Sequence, residues 1–124
     1  MSEIFLISLG AILGANTRFR IINILENLNF SKNLLVLIIN IIASFFLGLF
    51  LSIIDQHFSS IYSYQLVLFF SIGFFGSFST FSSFVYDLFD LCLQLKFSRA
   101  LKLFIISLSL GVIAFSFGFL LGNK

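Results

Sequence analysis

The fold prediction starts from one stretch, Gly73-Phe74-Phe75-Gly76-Ser77-Phe78-Ser79-Thr80-Phe81-Ser82-Ser83-Phe84. It lies inside an uncharged run, residues 58–86, that is long enough to cross a bilayer. Two glycines and five hydroxyl residues make it a poor continuous helix, because glycine and serine weaken a helix interior. Within the hydrocarbon core of a bilayer, a broken helix occurs only where protein buries it or where it lines a water-filled cavity. We therefore expect the functional site to lie in this stretch.

The same stretch has a second interpretation in which it only packs. Gly, Ser and Thr are common where transmembrane helices approach closely, and phenylalanine often faces lipid or core. Phe78, Phe81 and Phe84 recur every third residue, which predicts that they lie near one face of a helix. Composition alone leaves both interpretations open.

The composition of the whole chain is that of a membrane protein. It is 60% hydrophobic and only 10% charged. We predict one all-α transmembrane domain over residues 1–124, with four spans at about residues 4–25, 33–54, 62–86 and 103–121. The third span is predicted to break near Gly76, and residues 87–94 to extend it. The chain has no proline, so glycine and serine must cause any helix break.

The residues that could carry chemistry do not suggest an enzyme. The carboxylates all lie at or beyond the predicted span ends; they are Glu3, Glu26, Asp55, Asp87 and Asp90. His57 is read as a solvated loop residue without a ligand partner. Cys92 is the only cysteine, so it cannot form an internal disulfide and is read as a structural thiol.

Two polar side chains inside the spans have open roles. Asn40 lies several residues inside the second span, where it either makes an interhelical hydrogen bond or donates N–H groups to a dehydrated anion. Arg18 and Arg20 follow the uncharged part of the first span, where arginines commonly reach back to the lipid headgroups. Four short spans enclose too little volume for a pore, so we expect a dimer.

Three ordered motifs resemble those of the Fluc fluoride channels, also called the CrcB family. The opening stretch resembles G-x-x-G-G-x-T-T-F-S-T-F, with serine at 77, 79 and 83 replacing glycine, threonine and threonine. The first span resembles G-G-x-x-G-A-x-x-R-Y through Gly10, Gly14, Ala15, Arg18 and Phe19. The second resembles N-x-x-G-S-F-x-x-G through Asn40, Ala43, Ser44, Phe45 and Gly48.

This resemblance implies a passive, fluoride-selective channel in the bacterial plasma membrane, built as an antiparallel dimer with two pores. The implied pore residues are Asn40, Ser44, Phe81, Ser82, Phe84 and Ser107. The polar ones would donate hydrogen bonds, and the two phenylalanines would present ring edges, which are electropositive, to the anion. Arg18 would attract anions at a vestibule or brace the helix end, whereas Arg20 keeps the headgroup role.

The resemblance also implies a structural Na⁺ ion that is not transported. Its ligands would be the backbone carbonyls of Gly76 and Ser79, four oxygens in the dimer, at the break of the third span. The alternative is that serine and threonine hydroxyls bind the freed carbonyls without an ion.

The distribution of charge bears on the choice of partner. Basic residues cluster after the first and third spans, at Arg18, Arg20, Lys32, Lys96, Arg99 and Lys102. The positive-inside rule then places both termini outside. The partner is therefore either a second copy or an oppositely oriented paralogue. The competing function is a proton-coupled exporter like the small multidrug resistance transporters, but the first span has no embedded glutamate; a packing protein is a weaker third possibility.

Overall fold

A computed structural model describes residues 2–29, 31–57 and 60–123, and only the backbone of residues 32, 33 and 60. Six α-helices and one π-helical segment follow one another along the chain. They are α1 (Ser2–Glu26), α2 (Lys32–His57), α3 (Ser60–Leu66), the π segment (Val67–Phe75), the single turn α4 (Gly76–Phe78), α5 (Phe81–Leu93) and α6 (Phe97–Gly122).

Four helical stretches are long and apolar enough to cross a membrane: Ser2–Glu26, Leu34–His57, Ile61–Leu93 and Phe97–Gly122. The prediction of an all-α, multi-pass membrane protein is confirmed. The third stretch reaches Leu93, as the sequence predicted. The fourth begins at Phe97 rather than at residue 103, because Arg99 and Lys102 lie in the first turns of α6 instead of in a loop.

Glycines bring α1 directly against the π segment. A Cβ atom added at Gly10 would overlap the carbonyl oxygen of Phe69, and one at Gly14 would overlap that of Phe74. A Cβ at Gly73 would lie 2.7 Å from the carbonyl oxygen of Ile7. The two backbones therefore touch, which is how small residues promote helix association in membranes.

The same device joins α2 to α6, the most extensive helix pair in the molecule. A Cβ at Gly48 would overlap the carbonyl oxygen of Phe115, and one at Gly118 would overlap that of Phe45. Near the helix ends, Gly122 packs against Ser52, whose side chain is buried. These glycines therefore pack within the chain itself.

Between α4 and α5 lie two residues with extended backbone, Ser79 (φ −72°, ψ 156°) and Thr80 (φ −135°, ψ 111°). We call them the extended segment. Gly76, where the sequence placed the break, is itself helical (φ −62°, ψ −37°), and its N–H donates to carbonyls of the π segment. The first extended residue, Ser79, lies three positions after Gly76, within residues 76–79, where the interruption was expected.

The extended segment also separates the three phenylalanines that were expected on one helix face. Phe78 is 5% exposed and packs in the core with Ile39 and Ala43 of α2. Phe81 is 77% exposed. The expectation of a shared face is wrong for Phe78. Residues three positions apart share a face only within a continuous helix, and the extended residues Ser79 and Thr80 lie between Phe78 and Phe81.

Candidate functional site

A groove of about 400 Å³ lies where α2, α5 and α6 meet. Its walls contain five of the six residues that the sequence nominated for a pore. They are Asn40, Ser44, Phe81, Phe84 and Ser107, together with Leu108, Gly111, Val112 and Phe115. The lining residues span 75 positions of the sequence, from Asn40 to Phe115, and form an apolar groove with a few polar groups, the usual composition of a binding site.

Asn40 connects α2 to the extended segment. Its Oδ1 accepts a hydrogen bond from the Thr80 N–H (2.8 Å), and its Nδ2 donates to the Thr80 carbonyl (3.2 Å). Thr80 is only 4% exposed, and its Oγ1 accepts from the N–H of Ser83 at the start of α5. The interhelical role of Asn40 is therefore present in the structure, and the other N–H of Nδ2 is left for a further acceptor.

The two nominated phenylalanines have different surroundings. The ring of Phe84 lies 6.4 Å from that of Phe104, nearly parallel to it at 24°, so its face is partly covered. Phe81 lies 6.4 Å from Phe84 at 45° and is otherwise largely exposed. Phe84 thus has a ring neighbour in both Phe81 and Phe104, and an aromatic ring is electropositive at its edge and electronegative on its face.

Hydroxyl groups supply the remaining polarity of the groove. The Oγ of Ser107 is buried and has no hydrogen-bond partner in the described part of the chain. A buried hydroxyl without a partner is uncommon, because its desolvation is not offset. Ser44, on the facing helix α2, lines the same groove.

Ser82 is the one nominated pore residue that the structure does not bring into the groove. It lines a separate cavity of about 370 Å³, together with Glu26, Ser83, Tyr86 and Asp87. The reason is helical geometry: Ser82 follows Phe81 by 100° around α5, whereas Phe84 returns to within about 60° of it. Sequence reasoning chose Ser82 for its chemistry without fixing the start of the helix.

Arg18 also lies outside the groove walls. It is half-buried, and its Nη1 lies 3.4 Å from the carbonyl oxygen of Ser79, to which it donates. Of its two predicted roles, this contact corresponds to bracing, although the braced element is the extended segment rather than the end of α1. Arg20 is exposed.

The two carbonyls nominated for Na⁺ differ in their surroundings. The Thr80 N–H would bond the Gly76 carbonyl in a continuous α-helix, but here it donates to Asn40. The Ser79 carbonyl faces the guanidinium of Arg18. The hydroxyls of Ser77 and Ser79 donate to the carbonyls of Phe74 and Phe75. No group of His, Cys, Asp or Glu that could hold a metal occurs within the described residues.

Sequence reasoning missed two contributors to the site. Thr80 belonged to the motif but received no role, although its backbone and hydroxyl organise the start of α5. Phe104 carried no signal, because it is one of 20 phenylalanines and lies outside the three motifs. Only the fold shows that its ring stacks on Phe84.

Comparison with known proteins gives full-length matches. A profile of the family described as "CrcB-like protein, Camphor Resistance (CrcB)" matches residues 5–119. The chain is 68% identical over its whole length to fluoride-specific ion channel FluC 2 of Prochlorococcus marinus (strain NATL2A), covering 100% of both chains. It is 38% identical to fluoride-specific ion channel FluC 1 of Parasynechococcus marenigrum (strain WH8102), covering 97% of this chain and 93% of that one.

A more distant relative gives the same result. The chain is 36% identical to fluoride-specific ion channel FluC of Thermosipho melanesiensis (strain DSM 12029 / CIP 104789 / BI429), covering 98% of this chain and 96% of the relative. Near-complete coverage at these identities shows a common fold rather than a shared segment. This chain therefore belongs to the CrcB family.

Proposed function

We propose that this chain is a fluoride-selective channel that lets fluoride leave the cytoplasm passively. The observation that carries the proposal is the groove, which collects Asn40, Ser44, Phe81, Phe84 and Ser107 from three helices. The relatives that match the chain end to end are fluoride-specific ion channels. HF enters cells as a weak acid and dissociates inside, so an exit path for the ion protects metabolism.

The groove offers donors to an anion that has lost water. Desolvating an ion is costly unless new partners replace the water, and fluoride is a small, strong hydrogen-bond acceptor. The free N–H of Asn40 and the hydroxyls of Ser44 and Ser107 supply such partners. The unpartnered Oγ of Ser107 supports this role, because a passing anion would satisfy it. Ser82, in its separate cavity, would then act at an approach to the groove rather than within it.

The phenylalanines border the path with their ring edges. An edge attracts an anion weakly and an aromatic face repels it. Phe81 and Phe84 both line the groove, which supports a role for their rings beside the ion. Weak, replaceable contacts suit conduction, since an ion must both enter and leave each position.

The channel is an antiparallel dimer in this proposal, with the groove closed by the second subunit. One subunit leaves the groove open and Phe81 77% exposed. Arg18 would then lie at the vestibule, where it attracts anions and supports the extended segment. Two subunits of opposite orientation would bring their extended segments together in the middle of the membrane, where each would form a break in the third span.

The second subunit is either another copy or a paralogue. Arg20, Lys96, Arg99 and Lys102 are exposed at one end of the molecule, whereas Lys124 lies outside the described residues. Such an imbalance favours one orientation. The names FluC 1 and FluC 2 both occur in Prochlorococcus marinus, in strains MIT 9313 and NATL2A. Pairing between paralogues would require two such channels in one organism.

A structural Na⁺ ion is the remaining part of the proposal. The Gly76 carbonyl suits it, because its usual helical donor, the Thr80 N–H, is engaged elsewhere. The Ser79 carbonyl suits it only if Arg18 moves away, because two cations would otherwise meet at one oxygen. The alternative is that hydroxyl groups bind the freed carbonyls without an ion. The hydroxyls of Ser77 and Ser79 do bind carbonyls, but those of Phe74 and Phe75 and not those of Gly76 and Ser79.

The competing functions are not favoured. A small multidrug exporter needs a carboxylate embedded in its first span, whereas Glu3 and Glu26 stand at the two ends of α1. The relatives are ion channels, which confirms the prediction that the protein is not an enzyme.

Efflux from liposomes tests the function directly. Purified protein is reconstituted with internal potassium fluoride or potassium chloride, and an ionophore for K⁺ starts anion release, followed by ion-selective electrodes. The proposal predicts rapid fluoride release and chloride release at the rate of empty vesicles. Equal release of both anions would contradict selectivity. No fluoride release, with a co-expressed paralogue also present, would contradict the channel itself.

A further inference from the structure

Both polar groups of the Asn40 side chain, Oδ1 and Nδ2, form hydrogen bonds with the backbone of one residue, Thr80. In a β-sheet, an extended residue finds its N–H and C=O partners on a neighbouring strand. Here the carboxamide of Asn40, at 2.8 Å and 3.2 Å, replaces that strand. Because Thr80 is 4% exposed, both groups would otherwise be buried without partners.

The pairing also determines where α5 begins. Thr80 is the N-cap of α5, with its Oγ1 accepting from the Ser83 N–H. The next residue, Phe81, is the first of the helix and projects at the groove. A shift of Thr80 would therefore move Phe81 and Phe84 together, since both belong to the helix that Thr80 starts.

In return, Thr80 fixes the orientation of the Asn40 carboxamide. Its N–H selects the oxygen Oδ1, and its carbonyl selects one hydrogen of Nδ2. The opposite orientation would place two acceptors together and two donors together. Two hydrogen-bonding sites of the carboxamide are then unused by Thr80: the second N–H of Nδ2, which is a donor, and one lone pair of Oδ1.

We propose that Asn40 and Thr80 form a reciprocal clamp, in which Thr80 is a specificity-determining positioning residue. Asn40 holds Thr80 extended, and the Thr80 backbone keeps the Asn40 carboxamide in one orientation, which fixes the position of its remaining N–H donor beside the groove. An anion in the groove would accept a hydrogen bond from that donor, so its fixed position would favour anions that can reach it. The selectivity consequence depends on the proposed channel function, whereas the clamp itself does not.

The chain has only two threonines, Thr17 and Thr80, which makes the clamp measurable. Protein labelled with ¹⁵N-threonine should give two backbone amide signals in nanodiscs, and Thr17, inside α1, is an internal reference. Asn40→Ala should speed hydrogen exchange at Thr80 about tenfold or more, as expected for losing a buried hydrogen bond, and leave Thr17 unchanged. Ser44→Ala, in the same groove, should change neither.

Each outcome bears on the clamp. A Thr80 amide that exchanges like a solvent-exposed amide in the unaltered protein would overturn it without any variant. Equal Thr80 exchange in Asn40→Ala and the unaltered protein would also overturn it, and Asn40→Ser, which is too short to reach both groups, serves if the alanine variant does not fold. Fluoride release should fall in the variants with fast Thr80 exchange. If the unaltered protein releases no fluoride, the channel function fails while the exchange rates still decide the clamp.

Discussion

Two regions of the molecule hold their backbones in opposite ways. Where α2 meets α6, Gly48 and Gly118 allow main chain to touch main chain without any side chain between them. At the extended segment, Arg18 and Asn40 reach the backbone with polar side chains over distances of 2.8 to 3.4 Å. The first contact requires that the glycines have no Cβ atom, whereas the second requires the hydrogen-bonding groups of Arg18 and Asn40.

The difference separates stability from function. At Gly48 and Gly118 the atoms nearest to an added Cβ are all backbone atoms, so this packing uses no polar side chain. The extended segment concentrates its interactions in a few hydrogen bonds beside the groove. Each of those bonds can be removed without creating a steric clash, so substitutions there should change flux before they change folding. Substitutions at the glycines should do the reverse.

The largest effect is expected from adding a methyl group between α2 and α6. Gly118→Ala places a Cβ on the carbonyl oxygen of Phe45, which the backbone can relieve only by separating the helices. We expect a loss of about 3 kcal/mol in stability, the upper end for overpacking. Denaturant titration of the purified protein, followed by helical circular dichroism, measures it.

The matched control lies on the same helix. A Cβ at Gly111 would meet only the Ser44 hydroxyl, at an ordinary contact distance of 3.7 Å. Gly111→Ala should therefore leave the transition within about 0.5 kcal/mol of the original. Similar destabilisation by both substitutions would show that the packing at Gly118 is not special.

The glycine pairs and the extended segment were unequally predictable from the sequence. The apolar runs predicted four spans, because a span of hydrocarbon requires about 20 apolar residues whatever their neighbours. Two motifs contain four of the nominated residues that line the groove, Asn40, Ser44, Phe81 and Phe84, and Ser107 was nominated on the fourth span outside the motifs. The residue at which α5 begins could not be predicted, since the Thr80 N–H pairs with Asn40, which lies 40 positions earlier in the sequence. The exclusion of Ser82 and the stacking of Phe104 follow from that same unpredictable start of α5.

The orientation of the chain in the membrane should be all-or-none. A fixed orientation would mean that the partner proposed to lie against the extended segment is a different chain. Alkaline phosphatase, active outside the cytoplasm, and green fluorescent protein, fluorescent inside it, are fused after Lys124. The excess of basic residues at the other end predicts phosphatase activity alone. Equal signals from both fusions would show dual orientation and a homodimer.

A smaller effect is expected from the cation. Replacing Na⁺ by N-methyl-D-glucamine throughout purification should shift the proposed dimer toward monomer or slow fluoride release several-fold. The organic cation is too bulky to be coordinated by the carbonyls of Gly76 and Ser79. Li⁺ and K⁺ serve as controls for ionic strength. Unchanged assembly and flux in the organic cation would remove the ion from the account and leave Arg18 as the partner of Ser79.

The central claim is that fluoride passes along the groove beside Phe81 and Phe84, and a comparison of fluoride release among three phenylalanine variants tests it most directly. Phe81→Ile and Phe84→Ile keep the apolar volume but remove the ring edges, whereas Phe89→Ile makes the same change on α5 outside the groove. Size-exclusion chromatography should show equal assembly of all variants. Fluoride release should fall at least about tenfold for the first two, which corresponds to a loss of roughly 1.4 kcal/mol in the stabilisation of the passing ion. It should stay unchanged for Phe89→Ile; full release from both groove variants would contradict the claim.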